Sequence, residues 1–392
     1  MVAFLDRPVW ESFLFLSFTS IGHACLWVFI LNRLYGRALN KKFLNSFRLL
    51  TGINILTYSA FMALFLFGLL PRWELPSWAD TLWLGYSLMT VFIGAVVFPL
   101  ITLLKNCERP PRALVAETTR TIDYWPVLGE KAIGDGKYPW APRLPFNCVF
   151  QVDFTETTLR IPKLPAKLHG LEVLLITDLH FHGTPSFAFF EALLTEAAQG
   201  ATPDLVILGG DYTDKDHHIA WIALLLKRLQ WKEVGIAILG NHDKFHHPEK
   251  VREELRAMGY RVPSNSWEEI TVRGERCIIV GHEGPWFLPA PNLADAPAEP
   301  FRICVSHSPD NFYWGIREKI GLMLCGHVHG GGIRLPIIGP IFLPSRYGRR
   351  FDMGVFQQED TVMVISRGLS GKEPLRLRCH PQIVQLKLEC EV

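Results

Sequence analysis

Leu322-Met323-Leu324-Cys325-Gly326-His327-Val328-His329-Gly330-Gly331 passes from a short apolar run straight into a polar cluster with two histidines, and that junction decides the fold. Four other places repeat it. Residues 173–177 lead into Asp178-Leu179-His180, residues 205–208 into Gly210-Asp211, residues 235–239 into Gly240-Asn241-His242-Asp243, and residues 303–305 into Ser306-His307. Apolar runs this short, bounded by glycine and polar residues, read as buried strands. In α/β folds, sites form where loops converge at the carboxyl ends of strands. Five clusters in one register predict a single site with ligands enough for two metal ions, and hence a metal-dependent hydrolase. Between the runs, Phe187, Phe190, Leu194 and Ala197 recur at helical spacing. Residues 220–229 form a second helical stretch, and Pro248 opens a third that runs to Met258. A strand is expected over residues 148–161, strand-rich sequence resumes at Thr271, and residues 362–366 and 383–388 read as closing strands.

The residue types fit metal chemistry. In Asp178-Leu179-His180, positions i and i+2 of an extended segment face one side, so one ion could take both. Asp211 follows two glycines that admit close backbone approach, and its carboxylate could bridge two cations about 3.5–4 Å apart. Asn241 offers a neutral carbonyl oxygen, while His307, His327 and His329 offer imidazole nitrogen. A nitrogen and oxygen set without thiolate suits Mn²⁺, Fe or Zn²⁺ in a catalytic site rather than a structural zinc site.

The amino-terminal hundred residues differ in kind. Residues 12–32, 49–71 and 81–104 contain no Asp, Glu, Lys or Arg, and each is long enough to cross a bilayer as a helix. Trp10, Trp27, Trp73, Trp78 and Trp83 lie near the ends, where indole rings favour the interface. A cleaved signal peptide is not expected: only Arg7 precedes the first run, no small-residue cleavage pattern follows it, and two more spans come after. Arg33, Arg37, Lys41, Lys42 and Arg48 lie between the first two spans, whereas Arg72, Glu74 and Asp80 lie between the second and third. Lys105, Arg109 and Arg112 follow the third. The excess of positive charge predicts an external amino terminus and a cytosolic carboxyl-terminal part, on a multi-pass protein of the cytoplasmic membrane.

Composition excludes some classes. The chain of 392 residues has a net charge of +2, so no basic face points to a nucleic-acid partner. Its eight cysteines are scattered without C-x-x-C spacing, several inside apolar runs, which fits reduced, buried thiols. Residues 1–105 are expected to form the transmembrane region, residues 106–147 a Pro-, Gly- and Trp-rich connector, and residues 148–392 the catalytic domain.

D-x-H, G-D, G-N-H-D, H and G-H-x-H, in that order, resemble the calcineurin-like metallophosphoesterase superfamily over about residues 148–392. Gly326 to Gly331, with Ile333-Arg334-Leu335-Pro336 and Pro344-Ser345-Arg346-Tyr347-Gly348-Arg349-Arg350, resembles its bacterial branch of membrane-associated phosphodiesterases and UDP-2,3-diacylglucosamine pyrophosphatases. Relatives commonly read G-H-T-H-G-G-Q, where Val328 and Gly332 stand here. The resemblance implies an α/β fold, a metallophosphoesterase β-sandwich flanked by helices, preceded here by three transmembrane helices. It implies two divalent metal ions, Mn²⁺ foremost. One would be held by Asp178, His180, Asp211 and His329, the other by Asp211, Asn241, His307 and His327. His242 would contact the phosphoryl group or protonate the leaving oxygen, with Asp243 orienting its ring. Arg334, Arg346, Arg349 and Arg350 are candidates to clamp substrate phosphate.

His182, His217, His218, His246 and His247 read as solvated loop or surface residues. Trp286-Phe287-Leu288 and Phe312-Tyr313-Trp314 could form an apolar wall or ordinary core. The expected reaction is hydrolysis of the pyrophosphate of UDP-2,3-diacylglucosamine to UMP and 2,3-diacylglucosamine 1-phosphate at the cytoplasmic membrane face, a step of lipid A biosynthesis on a lipid-linked nucleotide. The alternatives are a broader phosphodiesterase or phosphatase acting on another lipid or soluble phosphoester, and a catalytically inactive membrane scaffold.

Overall fold

The computed structural model describes residues 8–69 and 76–391. Arg7, Arg72, Trp73 and Glu74, and the last two residues of the second charge-free run, lie outside the described residues. The chain divides into two compact units, Met1–Arg109 and Pro110–Val392.

The first unit carries three apolar helices, Val9–Tyr35, Lys41–Leu66 and Ser77–Asn106, which contain 18-residue stretches with mean hydropathies of 1.9, 1.8 and 2.3 respectively. Each exceeds the roughly 20 residues that a hydrocarbon core requires. Leu49, Leu56, Leu82 and Leu104 point outward and are exposed, which fits helices solvated by lipid. This is a membrane protein. The second helix begins before its charge-free run, because the Asn40 side chain accepts from Lys42 N at 2.8 Å and caps its first turn. Lys41, Lys42 and Arg48 are therefore helical rather than in a loop. The helices are joined by polar groups that hydropathy conceals. Thr19 Oγ1 lies 2.7 Å from both Tyr58 Oη and Thr90 Oγ1, and His23 Nε2 lies 2.7 Å from Asn54 Oδ1. Away from water, such bonds bind helices together.

The second unit is built on two six-stranded sheets. The first contains β1 (Leu114–Asp123), β2 (Gln151–Ile161), β3 (Leu171–Ile176), β4 (Leu205–Leu208), β5 (Val234–Ala237) and β14 (Gln382–Cys390), in the order β1-β2-β14-β3-β4-β5. The second contains β6 (Trp267–Val272), β7 (Glu275–His282), β8 (Phe301–Ser306), β9 (Leu322–Cys325), β12 (Gly354–Gln358) and β13 (Thr361–Ile365), in the order β12-β13-β9-β8-β7-β6. A small hairpin pairs β10 (Arg334–Leu335) with β11 (Gly339–Pro340). The strands β3-β4-β5 and β7-β8-β9-β13 run parallel.

Alternation along the strands explains the layers. Val173, Leu175, Ile207 and Ile236 of one sheet share a core with Ile279, Ile303, Leu322 and Leu324 of the other. Leu174, Ile176, Val206 and Leu208 point the opposite way, against the helices Phe187–Ala198, Ile219–Leu226 and Pro248–Ala257. Ile278, Val280, Cys304 and Met323 pack with Phe312 and Phe351 on the far side. Strands buried on both faces must be apolar throughout, which is why they read as unbroken runs. The fold is the expected sandwich of sheets flanked by helices.

Within the stretch read as a connector, residues 114–123 form β1, which pairs antiparallel with β2 from Leu114↔Leu159 to Asp123↔Gln151. Short helical turns at Trp125–Leu128, Gly129–Ala132 and Ala141–Arg143 follow it. Thr118, Thr119, Thr121 and Ile122 are β-branched and favour a pleated edge, a signal outweighed by the Pro and Gly around them.

Candidate metal centre

Loops after β3, β4, β5, β8 and β9 converge. Asp211 Oδ2 lies 3.5 Å from His180 Nε2 and 3.4 Å from His307 Nε2, so one carboxylate touches imidazoles from both sheets. Asp178, His180 and His329 bring one potential ligand atom each within 4.8 Å of one another, and Asp211, His307 and His327 do the same. His307 Nε2 is also 3.1 Å from Asn241 Oδ1, and His329 Nε2 is 3.8 Å from Asp178 Oδ1. All seven residues singled out as ligands thus meet in one place.

The local backbone differs from expectation. Asp178, His180, Asp211, His327 and His329 adopt φ of 55°, 46°, 58°, 72° and 52°. These are left-handed conformations that non-glycine residues avoid and that concentrate at functional sites. The extended segment expected for Asp178-Leu179-His180 is therefore corrected: β3 ends at Ile176, and two left-handed residues carry the side chains inward. Cross-links hold the strained turns. Asp178 N donates to Gly210 O at 3.0 Å, His180 N to Asp211 O at 2.9 Å, and His327 N to Asp178 Oδ1 at 3.0 Å. Gly240 and Gly326 serve the same crowding, since a Cβ would come within 2.1 Å of Asp211 Oδ1 and 2.4 Å of Asp178 Oδ2.

Three of the four imidazoles are also tied from behind. His307 Nδ1 donates to Gly209 O at 2.8 Å, His327 Nε2 donates to Pro344 O at 3.1 Å, and His180 Nδ1 meets Asp214 Oδ2 at 3.0 Å. Such rear contacts fix the tautomer and leave the other nitrogen for a ligand role. His180 Nε2 and His329 Nδ1 are buried with no hydrogen bond. Orphaned imidazole nitrogens beside converging carboxylates, with no thiolate among them, fit a pair of divalent cations.

One acidic residue escaped the sequence reading. Asp214 presents Oδ1 to His242 Nδ1 in a short hydrogen bond while Oδ2 meets His180, so a single carboxylate serves both rings. The expected orienting role of Asp243 is corrected. Asp243 is buried and accepts from Asp211 N at 2.8 Å, Tyr212 N at 2.8 Å and Gly240 N at 2.9 Å, bracing two motif loops instead of touching the imidazole. His242 N donates to Asp211 Oδ1 at 2.8 Å, which seats the histidine beside the centre. Asp214 lies three residues beyond Asp211, and its place in the same motif loop was the only available signal.

Electrostatics agree with a cation site. Burial opposes charge on Asp211, yet His307 and His242 hold its carboxyl well below the usual range. Burial likewise works against Asp214, and His242 and His180 overcome it in the same direction. His180 rises to about 9 because Asp214, Asp211 and Asp178 outweigh burial, and His307 rises to about 9 chiefly through Asp211. Negative charge outweighs burial at these imidazoles, and a metal ion would satisfy that charge in place of a proton. Asp243 is pushed up to about 7, first by burial and then by Asp211.

The surroundings revise several minor readings. His182 and His218 are buried rather than solvated, and His182 Nε2 donates to Gly371 O at 3.1 Å. His217 is exposed, and His246 Nδ1 meets Asp216 at 2.8 Å. Trp286 lies over His327 and His307, with ring centroids 4.5 and 5.5 Å away, whereas Phe312 belongs to the core. Arg334 pairs with Asp352 at 2.9 Å, and Arg346 N donates to Asp310 at 2.8 Å. A buried pair outside the motifs, Arg252 Nη2 to Glu283 Oε2 at 2.6 Å, anchors Leu239 N through Glu283 Oε1 at 2.8 Å. That contact fixes the chain entering Gly240-Asn241-His242.

Comparison with known proteins agrees with the geometry. Residues 171–331 match the model of the calcineurin-like phosphoesterase family. The phosphodiesterase YaeI of Escherichia coli is 30% identical over 223 residues, 55% of this chain and 82% of that protein. A transmembrane protein with metallophosphoesterase domain from Danio rerio is 23% identical, over 60% of this chain and 56% of its own length. The UDP-2,3-diacylglucosamine pyrophosphatase LpxG of Chlamydia muridarum is 25% identical, over 62% of this chain and 90% of that protein. The chain belongs to the calcineurin-like phosphoesterase family. It is a metal-dependent hydrolase of phosphoric esters, of a family that works with a dinuclear metal centre, set on a chain with three membrane helices.

Proposed function

We propose that Asp178, His180, Asp211 and His329 hold one divalent cation and Asp211, Asn241, His307 and His327 the other, with Asp211 shared. The observation that carries this is the Asp211 carboxylate standing between His180 and His307. When bound, the cations supply positive charge against the phosphoryl oxygens and acidify an attacking water. The protein's own groups do the rest. Asp214 orients His242 through Nδ1, leaving Nε2 to donate to the phosphoryl or leaving oxygen. Asp243 holds the loops of Asp211 and His242 at a fixed separation. Arg346, Arg349 and Arg350, on the loop that includes residues 345–350, are the candidates to meet substrate phosphate; Arg334 pairs with Asp352 at 2.9 Å and Arg346 with Asp310 at 3.6 Å.

The substrate we favour is UDP-2,3-diacylglucosamine, cleaved at its pyrophosphate to UMP and 2,3-diacylglucosamine 1-phosphate on the cytosolic face of the cytoplasmic membrane, with Mn²⁺ as the metal. Membrane helices on the same chain as the centre, and a relative with that activity in its name, support it. A broader phosphodiesterase is the second reading, supported by the greater similarity to phosphodiesterase YaeI. Purified protein in detergent with Mn²⁺ should release UMP from UDP-2,3-diacylglucosamine, and His242→Ala should abolish most of that release. Rapid turnover of a generic phosphodiester without UMP release would select the second reading.

A further inference from the structure

The membrane unit contains a cavity of about 180 Å³ at the end of the bundle where the second helix stops and the third begins. Phe15 of the first helix, Met62, Phe65 and Leu66 of the second, and Trp83 and Leu84 of the third give it apolar and aromatic walls. Two polar residues of the third helix, Asp80 and Ser87, line it as well. Among the described residues, neither Asp80 Oδ1 nor Ser87 Oγ has a hydrogen-bond partner, although both atoms are shut away from the surface. Ser87 as a whole is only 4% exposed.

Buried polar oxygens are ordinarily bonded, and an ionisable side chain on a membrane helix is kept where it meets a partner. A carboxylate in a first helical turn favours the helix dipole, but the dipole requires neither the burial of Oδ1 nor an orphaned serine further along. Seven residues are about two turns, so the two side chains share one face and stand roughly 10 Å apart along the axis. One metal ion cannot take both, since it holds its oxygen ligands at about 2.0–2.6 Å. The spacing fits an elongated organic ligand with a cationic end and a second polar group deeper in.

We propose that this cavity binds the head group of a phospholipid bearing a primary ammonium, which donates to Asp80 Oδ1 while an ester carbonyl of the same lipid accepts from the Ser87 hydroxyl. A primary ammonium offers three N–H donors to a carboxylate, whereas a quaternary one offers none. The faces of Trp83 and Phe65 attract the same charge. Asp80 lies three residues inside the start of its helix and Ser87 ten, which matches the order of ammonium and ester from the surface of a bilayer inward. Leu84 and Leu88 are exposed and offer the acyl chains an apolar path. The site is independent of which phosphoester is cleaved.

Native mass spectrometry tests it, on the full-length protein released from detergent micelles that hold equimolar phosphatidylethanolamine, phosphatidylcholine and phosphatidylglycerol with identical chains. Retention of phosphatidylethanolamine roughly tenfold or more above either other lipid is expected for a charge-assisted contact. Asp80→Asn should bring the three lipids to parity, and Asp80→Glu should keep most of the preference, both with helicity unchanged by circular dichroism. Parity of the three lipids in the wild type, or a preference that survives Asp80→Asn, would overturn the assignment. Equal retention of the choline lipid would put an aromatic cage in place of the ion pair, and a preference seen only in Arg72→Gln would give the carboxylate to that arginine; each contradicts the proposal. Should Asp80→Asn lose helicity, Ser87→Ala decides: weakened retention supports the site, and undiminished retention overturns it.

Discussion

In the proposed mechanism, Asp214 is the residue outside the seven candidate ligands on which the chemistry turns most sharply. It contacts His180 and His242 together, so one change should disturb both a candidate ligand's orientation and the ring proposed to carry the proton. Asp214→Asn is expected to lower kcat about 10–100-fold, the usual effect of losing a carboxylate behind a ligating histidine. Its unfolding midpoint should stay near wild type. An unchanged kcat in steady-state assays at saturating metal would remove Asp214 from the mechanism. The candidate ligands were legible because each cluster follows an apolar strand directly. Asp214 was not, because its role depends on where His242, from a different strand, comes to rest. Asp243 was misread for the same reason: adjacency to His242 in sequence suggested contact with its ring, while the turn directs its carboxylate to three backbone N–H groups.

Among the elements, two ties outside the motifs carry the site. The strand end before Gly240 is anchored by Glu283, itself neutralised by Arg252 in a buried pair. Arg252→Leu strands that carboxylate and should cost about 3–5 kcal/mol, read by denaturant unfolding in detergent. A loss within error of zero would show that Glu283 needs no partner. The second tie joins the start of β14 to β2. His380 Nδ1 meets Asp153 Oδ1 at 3.0 Å, and this hydrogen bond raises His380 to about 10 from an ordinary 6.5. A raised histidine pKa stabilises the fold fully below 6.5 and loses that contribution as pH rises through about 10. On the acid side, Asp153 is held at about 2 against an ordinary 3.8: burial opposes the shift, and His380, Thr121 and Arg367 prevail. His380→Gln should therefore melt below wild type most clearly at pH 4–6.5, with the gap closing towards pH 10. A gap that is constant across that range would refute the linkage. Strand positions were legible to within a few residues, as β4 and β9 show. Strand β1 was not, since its threonines gain meaning only beside β2.

At the scale of the whole molecule, a membrane unit and a hydrolase unit share one chain. The basic residues between the first two spans place the catalytic unit in the cytosol in our proposal, and carboxyl-terminal reporter fusions should be active only as cytosolic reporters. Activity of an exported reporter would reverse the orientation and remove the supply of a nucleotide-linked substrate. Hydropathy revealed the three helices but not the bonds of Thr19, His23, Asn54 and Tyr58 between them, because polar pairing inside a span leaves no periodic trace. The central claim is that Asp211 is shared by two cations, and metal content tests it most directly. Elemental analysis of purified protein after Mn²⁺ loading and desalting should find two ions per chain in the wild type. In Asp211→Asn it should find one or none, with the fold intact by circular dichroism. A folded wild-type protein that retains no divalent metal, or an Asp211→Asn variant that still binds two ions as tightly, would contradict the account.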